Sequence, residues 1–210
     1  MITDITTSKG QSREKYLRLK NIEGRLEQLE KVNIINSQIY VPSSIYGITF
    51  SDWFKQAKDL KRPDEIRNSL YYGFQPLFDA LVGHDMNDGT REPGVRALNH
   101  LIERGIEYLT SYYMGEPNIG IFKTCIEEVK PCIPKLAGVY YKKKLRNVDR
   151  NLIFPPEIQS FLKQYLKYAL DKKNIPDYVI GCACGSSEIA MPLAGLLETK
   201  VGFLRKSKRR

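Results

Sequence analysis

The sequence predicts a mainly α-helical N-terminal domain, residues 1–150, followed by a connecting helix and the start of a parallel α/β sheet in residues 151–210. Two observations predict this division. Through most of the first 150 residues, apolar side chains recur three and four positions apart, which is the spacing of one helix face. Near the C-terminus, two short apolar runs flank a glycine-bearing loop and a helical pattern, in the order strand, turn, helix, strand.

The first predicted helix spans residues 12–32. Its apolar seam has coiled-coil spacing and consists of Leu19, Ile22, Leu26 and Leu29. Because the seam is short and the helix contains Gly24, we expect a helix that docks on the body of the protein or on a second subunit. Residues 38–50 mix β-branched and aromatic residues with Pro42, which predicts a short strand or hairpin.

Three helices are predicted next. Ser51 is the expected N-cap of the first, which contains Trp53 and Phe54, and Pro63 and Pro93 begin the other two. The expected buried faces are Ile66, Leu70, Phe74, Leu77 and Leu81 on the Pro63 helix, and Val95, Leu98, Ile102, Ile106, Leu109 and Tyr113 on the Pro93 helix. Such faces indicate a helical core rather than a cofactor site.

Residues 117–146 predict two shorter helices divided near Pro131 and Pro134. The second ends in a basic, tyrosine-rich run that includes Lys142–Lys144. This run is compatible with contact to a nucleic-acid backbone and equally with a basic last turn that complements the helix dipole. A further helix begins at Pro155, with its inward face formed by Ile158, Phe161, Leu162, Tyr165, Leu166, Ala169 and Leu170.

Composition and charge narrow the function classes. The formal charge is +9, and five of the cations lie within the last six residues. No apolar run reaches membrane-spanning length and no signal pattern begins the chain, so we expect a cytoplasmic protein that does not enter a membrane. The four cysteines lack the spacing of a zinc site. Buried or loop-lining thiols are expected, with a redox-sensitive Cys182/Cys184 pair as the alternative.

The turn near residue 185 has the features of an anion site. The strand Tyr178–Ile180 ends at Gly181, and Gly181 and Gly185 allow a sharp bend. Ser186 or Ser187 caps the following helix, whose buried side is Ile189, Leu193, Leu196 and Leu197. Unpaired amides at a helix start attract anions, and the cations after the second apolar run, Val201–Leu204, fall on the edge of the sheet where such folds bind ligands.

This segment resembles the start of the core of type I phosphoribosyltransferases, most closely the adenine and orotate enzymes. The similar features are the strand from Tyr178, the glycine loop, the helix with Pro192 and the strand that ends at two cations. The resemblance implies that a loop of five residues holds the pyrophosphate: Cys182, Ala183, Cys184, Gly185 and Ser186. It also implies that Arg205 and Lys206 form a basic pair that helps to bind the same group. It also implies phosphoribosyl diphosphate with Mg²⁺, and a nitrogen base, as ligands.

The chain departs from this family in two respects. Cys184 stands where many members have a basic residue. The family's acidic pair and Thr/Gly-rich loop are also missing, since Asp64-Glu65 and Glu127-Glu128 have no glycine loop behind them. We therefore expect an incomplete sequence of this glycosyltransferase lineage, inactive as this chain alone. The alternative is a non-enzymatic helical module that binds a protein partner, or a second copy, through residues 12–32, or nucleic acid through its basic segments.

Overall fold

A computed structural model describes residues 5–34, 49–82, 86–139, 155–182 and 187–204. Their elements are α1 (Ile5–Lys31), α2 (Phe50–Ala57), α3 (Pro63–Val82), α4 (Asp88–Tyr113), α5 (Ile119–Val129), α6 (Ile133–Leu136), α7 (Pro155–Asp171), β1 (Tyr178–Cys182), α8 (Ser187–Leu197) and β2 (Lys200–Leu204). A short 3₁₀ turn, Lys130–Cys132, joins α5 to α6. The mainly helical architecture with a small parallel sheet near the C-terminus confirms the coarse fold prediction.

Two helices begin earlier than predicted. The N-cap of α2 is Thr49, not Ser51: its hydroxyl accepts the amide hydrogen of Asp52 at 3.0 Å, and the Asp52 carboxylate accepts that of Thr49 at 3.0 Å. Likewise, α4 begins after Asn87, and Pro93 lies inside the helix. Each helix starts where a side-chain oxygen satisfies a first-turn amide, which stabilises that start by about 1 kcal/mol.

The buried face of α4 also differs from the prediction. Val95 is 43% exposed, and Leu98, Ile102 and Ile106 are only partly buried. The residues that α4 buries are Gly94, Ala97, Leu101, Gly105, Tyr108, Leu109, Tyr112 and Tyr113. The reason is that α3, α5 and α8 all contact α4, so small residues are buried where helices approach closely. On α7, Phe161 was predicted inward and is 42% exposed.

Helix α1 docks on its own chain. Ile22 and Leu29 of the predicted seam are fully buried, and α1 lies against α7 and α8. Arg25 donates to the carbonyl oxygens of Gly195 (2.9 Å) and Leu196 (2.8 Å), so it satisfies acceptors at the C-terminal end of α8. Docking of this helix on the body of the protein is thereby confirmed for Ile22 and Leu29, whereas Leu19 and Leu26 are only partly buried.

Strands β1 and β2 pair in parallel, with Tyr178 opposite Lys200 and Cys182 opposite Leu204. One face of the sheet lies on the helices, where the Phe203 ring is 4.7 Å from that of Phe74. On the other face Tyr178, Ile180 and Leu204 are 57–60% exposed. A two-stranded sheet cannot bury both faces with one helix, so here the helical part covers one of them.

A single cluster of buried side chains joins residues on both sides of position 150. It includes Leu101 of α4, Leu166 of α7 and Leu196 of α8. The predicted domain boundary itself falls among residues 140–154, which lie outside the described residues, and stays a prediction. The strand or hairpin predicted for residues 38–50 also lies outside them, apart from Thr49 and Phe50, where α2 begins.

Candidate functional site

The parallel pairing brings the carboxyl ends of β1 and β2 to the same edge of the sheet. Cys182 and Leu204 are partners in the last pair of the ladder, so the chain leaves both strands at the same edge. Helix α8 begins at Ser187, five residues after Cys182. Ligands of open parallel sheets bind outside this carboxyl edge, beside the starts of the helices. The predicted location of the anion site is therefore compatible with the strand topology.

Of the seven residues predicted to bind the ligand, the structure describes Cys182. It is the last residue of β1 and is exposed. The other six, Ala183, Cys184, Gly185, Ser186, Arg205 and Lys206, lie outside the described residues, and so do Lys142–Lys144 of the basic run. Their roles stay predictions.

The first turn of α8, directly after the predicted loop, contains one buried and one half-buried polar side chain. Ser187 is the first residue of the helix and is 2% exposed, and its hydroxyl has no hydrogen-bond partner among the described residues. Glu188 is the only charged residue of α8 and is half-buried. Burial raises the pKa of the Glu188 carboxyl, and the Arg67 guanidinium opposes that rise.

Arg67 of α3 places a positive charge in the interior next to this turn. Its side chain is 1% exposed. One guanidinium nitrogen donates to the Asn68 side-chain oxygen at 2.9 Å, and the guanidinium carbon lies 5.7 Å from the centre of the Tyr112 ring. The nitrogens Nε and Nη1 have no hydrogen-bond partner within the described part of the chain. Glu188 is the strongest source of attraction for this charge.

Tyr113, at the end of α4, completes the group. Its side chain is fully buried, and burial raises the pKa of its hydroxyl. The Tyr113 hydroxyl and the Arg67 guanidinium act on each other as side-chain hydrogen-bond partners, although their geometry falls short of a strict hydrogen bond. Arg67, Tyr113, Ser187 and Glu188 are called the Arg67 cluster below. Three elements, α3, α4 and α8, contribute to it.

Sequence reasoning missed the Arg67 cluster, although two signals were present. Arg67 precedes Leu70 by three positions and so extends the apolar stripe of α3 toward its N-terminus. A charged side chain on the apolar face of a helix is buried where that face packs against the core. Glu188, in turn, is a lone charge in an otherwise uncharged helix. Arg67 and Glu188 are far apart in sequence, so neither signal indicated that they interact.

Two of the cysteines are buried thiols. Cys125 and Cys132 lie in the core, and burial raises the pKa of Cys125 to about 12, which keeps it a thiol rather than a nucleophilic thiolate. The buried-thiol prediction is confirmed for this pair.

Near Cys125, His100 Nδ1 lies 3.4 Å from the Glu128 carboxylate, which Arg104 also contacts at 2.7 Å. This is an ion-pair network between α4 and α5.

Two other features bear on ligands. In the described ranges, no group of three His, Cys, Asp or Glu side chains could hold a metal ion, and no helix is long and apolar enough to span a membrane. A shallow polar cleft lies at the opposite, amino-terminal edge of the strands, lined by Arg18, Asp177 and Lys200 among others. Its charges are of both signs, and Cys182, the predicted ligand residue that the structure describes, is not among its lining residues.

Comparison of the chain with protein-family models, with curated proteins and with solved structures gave no match in any of the three. The functional argument therefore rests on the residues, the strand topology and the electrostatics of the chain.

Proposed function

We propose that this chain is a phosphoribosyltransferase-type protein whose β1–α8 unit binds the diphosphate of phosphoribosyl diphosphate. The reaction of that class transfers ribose 5-phosphate to a nitrogen base. In this proposal residues 182–186 and the pair Arg205 and Lys206 hold the leaving diphosphate. Such donors would stabilise the negative charge that grows as the C1–O bond breaks.

The observation that supports the proposal is the pairing of Cys182 with Leu204 at the end of a parallel ladder. Residue 183 follows the first partner in sequence and Arg205 follows the second, so in this proposal the loop and the cations act at the same edge. Amides in the first turn of a helix lack intrahelical partners and stand at the positive end of its dipole. An anion between that turn and two cations would be bound from both sides.

Mg²⁺ would accompany the diphosphate, as the resemblance implies. The described residues contain no group of three ligating side chains for it, and Mg²⁺ in nucleotide and diphosphate sites is held mainly by phosphate oxygens and water. The proposal therefore depends on the protein's own donors and not on a resident metal. The sequence also lacks the acidic pair that grips the ribose hydroxyls in the family, so we propose binding by this chain, without turnover.

Isothermal titration calorimetry of the 210-residue chain with phosphoribosyl diphosphate and Mg²⁺ tests the proposal. The informative variant is Arg205→Ala/Lys206→Ala, with Lys208→Ala/Arg209→Ala as the matched control of equal charge change. Each lost charge-assisted contact weakens binding by about tenfold. We therefore expect the first variant to lose about a hundredfold in affinity and the control to lose little.

Two results would contradict the proposal. Absence of binding heat with phosphoribosyl diphosphate removes it outright. Equal losses in the two double variants, together with a steep dependence on salt, mean that the basic C-terminus attracts any anion through unspecific electrostatics.

A further inference from the structure

The outer face of the β1–β2 sheet, opposite the helices, is apolar and exposed. Side chains alternate between the two faces of a sheet, and the strand register places six positions on the outer one: Tyr178, Ile180, Cys182, Lys200, Gly202 and Leu204. The three large apolar side chains among them are 57–60% exposed. Because parallel sheets are normally covered on both faces, and an exposed apolar patch marks a contact surface, we expect a partner to cover this one.

The relief of this face is uneven. Ile180 projects from β1, and its register partner on β2 is Gly202, which has no side chain. A Cβ atom added at Gly202 would meet nothing within 4 Å, so the space above this residue is open. The face therefore has one large apolar side chain beside one gap, at the same level of the two strands.

This relief is complementary to itself in one of two symmetric arrangements. Sheets packed face to face keep their strands roughly aligned, so the two-fold axis that relates two identical faces runs either across the strands or along them. With the axis across the strands at the level of Ile180, two Ile180 side chains collide and two Gly202 positions leave a hole. With the axis along the strands, β1 lies over the partner's β2, and each Ile180 faces the partner's Gly202.

We propose that this chain forms a weak two-fold dimer through the outer face of the sheet, with β1 of each copy packed over the partner's β2. Ile180 fills the space above the partner's Gly202, twice in each dimer. At the amino-terminal end, Tyr178 lies over the partner's Lys200, whose ammonium nitrogen is 5.4 Å from the centre of the Tyr178 ring in its own chain. Asp177, which is exposed next to Tyr178, supplies negative charge at the same end.

The size of the face determines the expected affinity. Six positions in each copy are few beside the roughly 20–30 residues on each side of a standard interface, so we expect a dissociation constant in the micromolar range. Helix α1 offers a second copy less apolar surface, because Ile22 and Leu29 of its seam are buried within the chain. The dimer does not depend on the proposed function, since it covers a face of the sheet and not its carboxyl edge.

Sedimentation velocity of the full 210-residue chain over a range of micromolar concentrations tests the proposal, with a reducing agent that keeps the exposed Cys182 a thiol. Gly202→Val is the informative variant: its side chain enters open space in the single chain but takes the place of the partner's Ile180. Valine suits a strand better than glycine, so the single chain keeps its stability. Leu17→Glu is the control, since Leu17 is 50% exposed and belongs to α1, the alternative interface.

If the dimer forms as proposed, the unaltered chain passes from monomer to dimer as its concentration rises. Gly202→Val weakens this association by about tenfold or more, because the same overpacked contact occurs twice. Adding Ile180→Ala to Gly202→Val recovers part of the loss, since the smaller side chain makes room for the partner's valine. Leu17→Glu leaves the association unchanged.

Three results overturn the proposal. A chain that is monomeric at every concentration has no such dimer, and another protein then covers the face. Association that Gly202→Val leaves unchanged or strengthens does not use this relief, since a merely adhesive surface gains from an added apolar side chain. Loss of association in Leu17→Glu places the interface on α1. If Gly202→Val melts below the unaltered chain, Ile180→Glu replaces it, since Ile180 is 60% exposed; association that survives Ile180→Glu overturns the proposal equally.

Discussion

Helices α4 and α8 approach each other closely at Gly195. A methyl group added there would lie 2.0 Å from the Thr110 hydroxyl oxygen and 3.0 Å from a methyl carbon of Ile106. Thr110 cannot simply turn away, because its hydroxyl donates to the carbonyl oxygen of Ile106 at 2.6 Å. The substitution Gly195→Ala therefore tests whether the βαβ unit is rigidly joined to the helical part.

The expected magnitude follows from two opposing effects. Overpacking of a close contact costs about 1–3 kcal/mol, and alanine in a helix is favoured over glycine by about 1 kcal/mol. The net destabilisation is therefore up to about 2 kcal/mol, which lowers the melting temperature of a chain of this size by up to about 8 °C. Gly24→Ala in α1 is the matched control, since its added methyl group meets nothing within 4 Å; it should stabilise by about 0.5–1 kcal/mol.

Thermal and urea denaturation of four proteins measure this: the unaltered chain, Gly195→Ala, Gly24→Ala, and Gly195→Ala combined with Thr110→Ala. Removing the Thr110 hydroxyl takes away the nearest atom, so the double variant should recover part of the lost stability beyond the sum of the single changes. If Gly195→Ala stabilises as much as Gly24→Ala does, α8 does not lie on α4 at this distance, and the packing argument is wrong.

Three further predictions concern other contacts. Gly73→Ala should cost about 2 kcal/mol in urea denaturation, because its methyl group would lie 2.4 Å from the Trp53 ring and this clash exceeds the gain from alanine in a helix; a variant as stable as the unaltered chain would mean that the ring can move. Arg25→Ala should cost about 1 kcal/mol, since the last carbonyls of α8 lose their donor, and unchanged melting would show that water replaces it. Arg104 lowers the pKa of Glu128 below its ordinary 4.5, so this carboxylate stabilises the fold at neutral pH and loses that effect as the pH falls through its folded pKa. Glu128→Gln should melt earlier than the unaltered chain at pH 7, and the gap should narrow as the pH falls below about 4.5 and close once the pH is below the folded pKa; a gap independent of pH would contradict the ion pair.

Elements with strong local patterns were predicted well. The two apolar runs near residues 179 and 202 are strands in the structure, with a helix between them, because turn residues and short apolar runs limit what the backbone can do locally. The helix that begins at Pro155 is also present as predicted. The starts of α2 and α4 were placed too late, since Thr49 and Asn87 were overlooked as side-chain acceptors.

Burial around α4 shows why a pattern of apolar residues is not sufficient. The apolar pattern predicted that Val95 is buried, yet Val95 is exposed and Ala97 and Gly105 are buried. Their small size permits the close approach of three neighbouring helices, and nothing in the local sequence states how many neighbours a helix has. The ligand residues 183–186, 205 and 206 stay predictions, because the argument for them comes from resemblance and strand order.

Local backbone preferences in the chain were enough to establish a helical body and a strand–helix–strand unit, because each depends on side chains a few positions apart. The encounter of Arg67, Tyr113 and Glu188 depends on three segments separated by more than forty residues at each step. Long-range packing removes these side chains from water and brings them within reach of one another. Their interaction is therefore decided by the tertiary structure and not by local sequence.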